Sequence, residues 1–180
     1  MPADRGDDAV TAAALLARNG DDAASAAFVQ ATQIEVWRFV AALVGVQYAD
    51  DVTQDTYLRA FRALPEFAAR SSARTWLLSI ARRACADHIR QAVRSRRLDA
   101  RVAAEPMARS SVDHAGLHAA AELVARLPGE RRVAFVLTQV LGLSYLEAAA
   151  IEDVPVGTIR SRVARARADL VAAIEAAQAG

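Results

Sequence analysis

Apolar positions in this chain recur every three or four residues, and stretches with the two-residue alternation of a strand are almost missing. The pattern predicts an all-α protein. A first periodic stretch runs from Val10 to Arg18 and breaks at Asn19-Gly20. A second runs from about Ala23 to Leu43, with Phe28, Ile34, Val36, Trp37, Val40 and Leu43 as its apolar residues, and ends at Gly45. A third runs from about Ala49 to Leu64 and stops before Pro65, whose ring disfavours helical backbone in the preceding residue. PEFAARSSAR (65–74) reads as a loop whose serines cap a long helix continuing to about Arg97.

From 98 to 116 the periodicity is lost and Pro106, Ser110, Ser111 and Gly116 collect, which reads as an interdomain linker. Beyond it lie a helix from about Leu117 to Arg126, a break at Leu127-Pro128-Gly129, and a helix from Glu130 to Leu141 stopped by Gly142. Ser144 and Glu147 have the spacing of a capping box and open a short helix to about Glu152. After Asp153-Val154-Pro155 a last helix runs from Val156 to about Ala177. The expected organisation is an N-terminal extension (1–22), a helical unit (23–97), the linker (98–116) and a second small helical unit (117–180).

Charge divides the chain further. The net charge is only +1, but residues 1–69 carry −5, 70–101 carry +7, 102–153 carry −3 and 154–180 carry +2. Two basic islands in an acidic chain suit a protein that meets a polyanion at two places and another partner through its acidic surface. All 22 basic residues are arginine, the better residue for phosphate and guanine. The single Cys85 excludes an internal disulfide. No basic start is followed by an apolar segment of signal-peptide kind and no apolar run approaches bilayer length, so a cytoplasmic location without membrane insertion is expected.

Short helix, turn, then an arginine-rich helix is the order of a helix-turn-helix. At 100° per residue, Val156, Ile159, Val163, Ala166 and Leu170 form one stripe of the last helix. Gly157, Thr158, Ser161, Arg165 and Ala168 lie opposite, flanked by Arg160, Arg162 and Arg167. Small residues at the tip let such a helix enter a major groove, where arginines reach phosphates or guanine edges. A solvated basic face on a bundle helix is the plainer reading.

The same construction on the third helix puts Val52, Thr56, Ala60, Phe61 and Leu64 inward and leaves Asp51, Gln54, Asp55, Leu58 and Arg59 outward. An acidic face with one exposed leucine suits a basic partner, charge steering the approach and the leucine anchoring it. On the long helix, Leu77, Ile80, Ala81 and Ala84 centre the apolar face, with Leu78, Cys85 and His88 alongside. Ser79, Arg82, Arg83, Ala86 and Arg90 lie opposite. Trp76 falls at the border, in line with Arg83 and Arg90. An aromatic ring beside arginines is a stacking platform for an unpaired base; a semi-buried residue packed on Trp37 or Phe67 is the alternative.

Three segments together resemble a known family. GLSYLEAAAIEDVPVGTIRSRVARARADL (142–170) resembles region four of the extracytoplasmic-function sigma factors of bacterial RNA polymerase. ADDVTQDTYLRAFRALPEF (49–67) and SSARTWLLSIARRACADHIR (71–90) resemble region two. The likeness extends over nearly the whole chain from about residue 23, and the actinobacterial sigma-C type is the subgroup most similar in wording. It implies a sigma factor that joins core polymerase, recognises minus-ten and minus-thirty-five promoter elements and helps to melt the promoter.

Residue by residue, the resemblance assigns docking on the β′ clamp helices to Asp51, Gln54, Asp55, Leu58 and Arg59. It assigns minus-ten recognition and melting to Trp76, Arg82, Arg83 and Arg90. Capture of a flipped base falls to the loop from Phe67 to Ser72, with Arg70 and Ser71. Minus-thirty-five contacts fall to Thr158, Arg160, Ser161, Arg162 and Arg165. Its implied partners are core RNA polymerase, including the β subunit, promoter DNA and an anti-sigma factor. Asp153 stands where the family usually has glycine in the turn, and Glu152 where it is commonly apolar. Two acids there put the strength of minus-thirty-five binding in doubt.

Cys85-x-x-His88 with His114-x-x-x-His118 superficially resembles a zinc spacing, but the first pair falls on an apolar helix face and the second beside the linker. Neither a Gly-rich phosphate loop nor a nucleophile motif is present, so no metal, cofactor or enzymatic activity is expected. The competing function is a dimeric helix-turn-helix regulator that binds palindromic operators without polymerase.

Overall fold

The structure is a computed structural model that describes residues 5–99 and 115–178, and among these every regular element is helical. Helix α1 spans Arg5–Arg18, α2 Asp22–Val44, α3 Ala49–Ala63 and α4 Ala73–Asp99. They are followed by α5 at Ala115–Arg126, α6 at Gly129–Phe135, α7 at Tyr145–Glu152 and α8 at Val156–Gln178. Most of the expected linker, like the segment before Arg5, lies outside the described residues.

The boundaries follow from local chemistry. Asp21 caps α2, its carboxylate accepting from the Ala24 N–H at 2.9 Å. Gly45 closes α2 at φ 94°, a backbone conformation that residues with a Cβ rarely adopt. The third helix is one residue shorter than its pattern and passes into a 3-10 turn, Leu64–Glu66, carrying Pro65. The expected single helix from Glu130 to Leu141 is instead α6 followed by a π-helical turn over Val136–Val140, with the Leu141 N–H donating to the Val136 carbonyl at 2.9 Å. The wider turn lets three successive residues, Val136, Leu137 and Thr138, be buried together, which the 100° step of an α-helix would spread around the cylinder.

The Ser144 capping box forms reciprocally: the Glu147 N–H donates to Ser144 Oγ at 3.2 Å and the Ser144 N–H donates to Glu147 Oε2 at 2.8 Å. Ser144→Ala is expected to lower unfolding free energy by about 1 kcal/mol, read from the urea midpoint at unchanged slope. A midpoint equal to wild type would show that the box contributes nothing.

Phe28, Val36, Phe39 and Val40 of α2 meet Val52, Thr56 and Ala60 of α3 and Leu77, Leu78, Ala81, Ala84 and Cys85 of α4. Helix α1, within the stretch read as an extension, packs along α2 and α4. A second group joins Val133, Val136 and Leu137 to Ala148, Ile151, Ile159 and Val163. The two groups form one continuous core, because α7 packs on α4 and α6 approaches α2. Polar ties follow the same seam: the Arg74 guanidinium donates to the Leu141 carbonyl at 2.7 Å and bonds Glu35.

Candidate nucleic-acid interface and docking face

The start of α4 sets the first basic surface. Ser72 caps it, accepting from the Thr75 N–H at 3.2 Å, and the rings of Trp76 and Phe67 lie 4.8 Å apart, tilted by 41°. Trp76 is half-buried, and its packing partner is Phe67 rather than Trp37. Phe67, placed by sequence among the loop's DNA-contacting residues, is only 3% exposed and supports the indole from the core. Above it, Glu66, Ala68, Arg70, Ser71 and Trp76 wall a surface cleft of about 240 Å³. Arg70 and Ser71 are exposed and Ser72 half-buried.

Ala69, in the middle of this loop, adopts φ 50°, a strained conformation for a residue with a Cβ. Along the same face of α4, Arg83 and Arg90 are exposed, Arg90 paired with Asp87 one turn earlier. Arg82 differs: its Nε lies 2.5 Å from Glu152 at the end of α7.

The face expected to dock lies on α3. Asp51 and Gln54 are exposed and Leu58 is 51% exposed, whereas Arg59 is braced by Asp55 at 2.8 Å and by Asp87 of α4 at 2.5 Å. Arg59 and then Arg90 hold the Asp87 carboxyl below its ordinary range. The stabilisation from that depressed value is present near neutrality and is lost as pH falls through it.

The sequence stripe is corrected at Phe61, 39% exposed rather than buried. Beside the acidic face opens a groove of about 440 Å³ lined by Val29, Ile34, Trp37, Thr53, Gln54 and Tyr57, with the Trp37 indole N–H donating to Asp50 at 2.8 Å. Periodicity assigned Ile34 and Trp37 to the apolar set of α2 without asking which way they point. A wheel centred on Val36, Val40 and Leu43 already turns both away, and they are 62% and 36% exposed.

The second basic surface is α8. Ile159, Val163 and Ala166 are buried as the stripe requires, which turns Thr158, Arg160, Ser161 and Arg165 outward, Thr158 half-buried and the others exposed. Thr158, Ser161, Arg162 and Arg165 line a cleft of about 380 Å³ against Pro128–Arg131. Arg162 is not open on this face: its side chain is 16% exposed and paired with Glu130 at 2.7 Å and Glu152 at 3.3 Å.

Asp153 takes the left-handed conformation, φ 54° and ψ 51°, and so performs the glycine's part in the turn. Glu152, suspected of weakening DNA contacts, points inward with its side chain 3% exposed, between Arg82 and Arg162. One carboxylate thereby joins an arginine from each basic surface.

Cys85 is fully buried, which pushes its thiol up to about 12, and His88 stacks on Tyr48 at 4.7 Å. A thiol held protonated is a poor metal ligand. His114 and the side chain of His118 lie outside the described residues. Among the described residues no helix is long and apolar enough to cross a membrane.

Comparison with known proteins agrees with this geometry. Residues 21–95 match the family model for sigma-70 region 2, and 117–170 match that for sigma-70 region 4. The ECF RNA polymerase sigma factor SigC of Mycobacterium tuberculosis is 54% identical over 173 residues, covering 94% of this chain and 93% of that protein. Among solved structures, CnrH in complex with the cytosolic domain of CnrY superposes with TM-score 0.73 at 27% identity over 93% of this chain and 98% of that one. The sigma factor RpoE of Bartonella quintana, in complex with the anti-sigma factor NepR, gives 0.71 at 27% identity over 82% and 94%. Two sigma domains in order, and a relative alike from end to end, place this chain in the extracytoplasmic-function branch of the sigma-70 family of RNA polymerase sigma factors.

Proposed function

We propose that the chain docks on core polymerase through α3, reads the minus-ten element with α4 and the loop before it, and reads the minus-thirty-five element with α8. The domain boundaries that go with this are 23–97 and 117–180. The observation that carries the reading is the presence, in one chain, of two unlike basic surfaces separated from an acidic face that holds an exposed leucine. A helix-turn-helix tip with small residues suits duplex DNA, whereas a supported indole over a cleft, flanked by arginines, suits a base taken out of the stack.

Each surface has a stated part. Leu58 with the Ile34–Trp37 groove supplies apolar area, and Asp51, Gln54 and Asp55 steer toward a basic helix of β′, with the β subunit completing the assembly. Arg59 orders Asp55 by its pairing. Arg83 and Arg90 hold the backbone near the melted strand while Trp76 stacks and the cleft over Phe67 receives the flipped base. Flipping costs a few kcal/mol and stacking returns about 1 to 3, so the polymerase contacts supply the rest. Arg82 must exchange Glu152 for phosphate, and Arg162 both Glu152 and Glu130, when both elements are read.

Chemistry at the growing RNA belongs to the polymerase, which makes this chain a cytoplasmic, non-enzymatic factor. RpoE was solved with the anti-sigma factor NepR and CnrH with the cytosolic domain of CnrY, and the apolar and acidic face on α2 and α3 gives an anti-sigma factor a place to bind here.

The test is assembly. Wild-type protein mixed with core polymerase is expected to form holoenzyme and select asymmetric two-part promoters from a random duplex library. No holoenzyme, or tight selection of palindromes without polymerase, sinks the proposal. Leu58→Asp is expected to weaken core affinity at least tenfold, on the order of the 2 kcal/mol of a central interface anchor, with DNA contacts intact. Unchanged core affinity would move the docking face elsewhere.

A further inference from the structure

We propose that helix α1 is a clamp on the minus-ten reading loop, with Thr11 and Arg18 as positioning residues that touch no DNA. The match to sigma-70 region 2 begins at residue 21, so both lie upstream of it. The inference rests on the minus-ten assignment made above and adds what holds that loop in its reading shape.

The clamp grips both ends of the loop. At its start, Arg18 Nη1 donates to the Phe67 carbonyl at 2.9 Å across 49 residues of sequence. At its end, the Ala73 N–H donates to Thr11 Oγ1 at 3.0 Å across 62 residues. Ala73 is the first residue of α4, and its N–H is one of the donors that a helix cannot satisfy internally. Ser72 takes the Thr75 N–H, so cap and clamp together meet two of those donors. One turn before Thr11, Asp7 approaches the Arg74 guanidinium at 3.9 Å.

Between the two grips the chain passes through Ala69 at φ 50°. A strained residue with a side chain persists only where its surroundings over-determine the backbone. Phe67 is held beneath Trp76 and cannot shift without moving the indole. Releasing either grip lets the 67–73 segment relax. The cleft walled by Glu66, Arg70, Ser71 and Trp76 then loses its fixed shape, while the docking face on α3 is left as it was.

The experiment uses full-length protein in holoenzyme, with a promoter selected by the wild type from a random library. Binding of the single-stranded non-template minus-ten segment is measured against a permuted segment, alongside core affinity and the thermal midpoint. Thr11→Val, which keeps shape and removes the acceptor, and Arg18→Ala are each expected to reduce discrimination about fivefold, the equivalent of one hydrogen bond, at wild-type core affinity. Thr11→Ser, which restores the hydroxyl, is expected to recover wild-type discrimination.

Wild-type discrimination in Thr11→Val and Arg18→Ala overturns the clamp. So does a loss of discrimination matched by equal loss of core affinity, which marks general unfolding, or failure of Thr11→Ser to recover. A wild-type holoenzyme that itself fails to discriminate overturns the minus-ten assignment, and the clamp with it, and is told apart by appearing before any substitution is made.

Discussion

Trp76→Ala is expected to slow open-complex formation on duplex promoters by roughly 5- to 150-fold, the equivalent of the 1 to 3 kcal/mol that stacking on an aromatic returns to an unpaired base. The same substitution is expected to cost much less on a template already melted across the minus-ten element, where the flipping cost has been met in advance. The geometry behind this is a half-buried indole whose lower face rests on Phe67 at 4.8 Å and whose border lies in line with the exposed Arg83 and Arg90. Trp76→Phe keeps a smaller stacking face and should fall between wild type and alanine. Stopped-flow opening assays on the two templates, at matched core affinity, decide the matter. Equal losses on both templates would assign Trp76 to the packing of α4 alone.

Glu152→Gln is expected to have two effects of opposite benefit. The side chain is 3% exposed and sits 2.5 Å from Arg82 and 3.3 Å from Arg162. Replacing it with a neutral group of the same shape removes the counter-ion of Arg82 and leaves Arg162 with Glu130 alone. Removing one member of a fully buried pair costs about 3 to 5 kcal/mol. Here both arginines keep contact with water, with side chains 28% and 16% exposed, so roughly 1 to 3 kcal/mol, the cost of leaving a partly buried donor unsatisfied, is the fitting range.

For a chain of this length that lowers the thermal midpoint by about 2 to 12 °C. At the same time Arg82 is released toward phosphate while Arg162 keeps only Glu130, and affinity of the free protein for promoter duplex is expected to rise, with a steeper dependence on salt. A substitution that merely destabilises the fold lowers both quantities. A lower midpoint with unchanged or weaker duplex binding would show that Glu152 does not compete with DNA for these arginines. The double-mutant cycle with Arg82→Ala measures the coupling across α4 and α7 directly.

Much of this was legible along the chain because it rests on local rules. The three-to-four periodicity, Ser144 as a cap, Gly45 and Gly142 as stops and Pro65 as a breaker act within a few residues of themselves. The stripe of α8, and with it the outward placement of Ser161 and Arg165, follows from a 100° step and nothing else. Periodicity without direction misplaces three apolar residues. Ile34 and Trp37 belong to the apolar set of α2 but point away from its buried side, and Phe61 sits at the edge of the α3 stripe rather than in it. Phe67 belongs by sequence to the loop that contains it, although a neighbouring indole draws its ring into the core.

By itself, then, the sequence determined the helices, their caps, the charge division and the inward and outward faces, all set by interactions between residues near one another in the chain. Only the tertiary structure decided which arginines stand open. Arg82 and Arg83 share the outward face of α4, and Arg160 and Arg162 both flank α8, yet Glu152, 70 residues from Arg82, engages Arg82 and also takes Arg162, while Arg83 and Arg160 stay exposed. The tie from Arg18 and Thr11 to the ends of the 67–73 loop is of the same kind. Electrostatic and hydrogen-bond partners at such separations are chosen by the packing of α1 on α4 and of α7 on α4. No period or spacing along the chain encodes that packing.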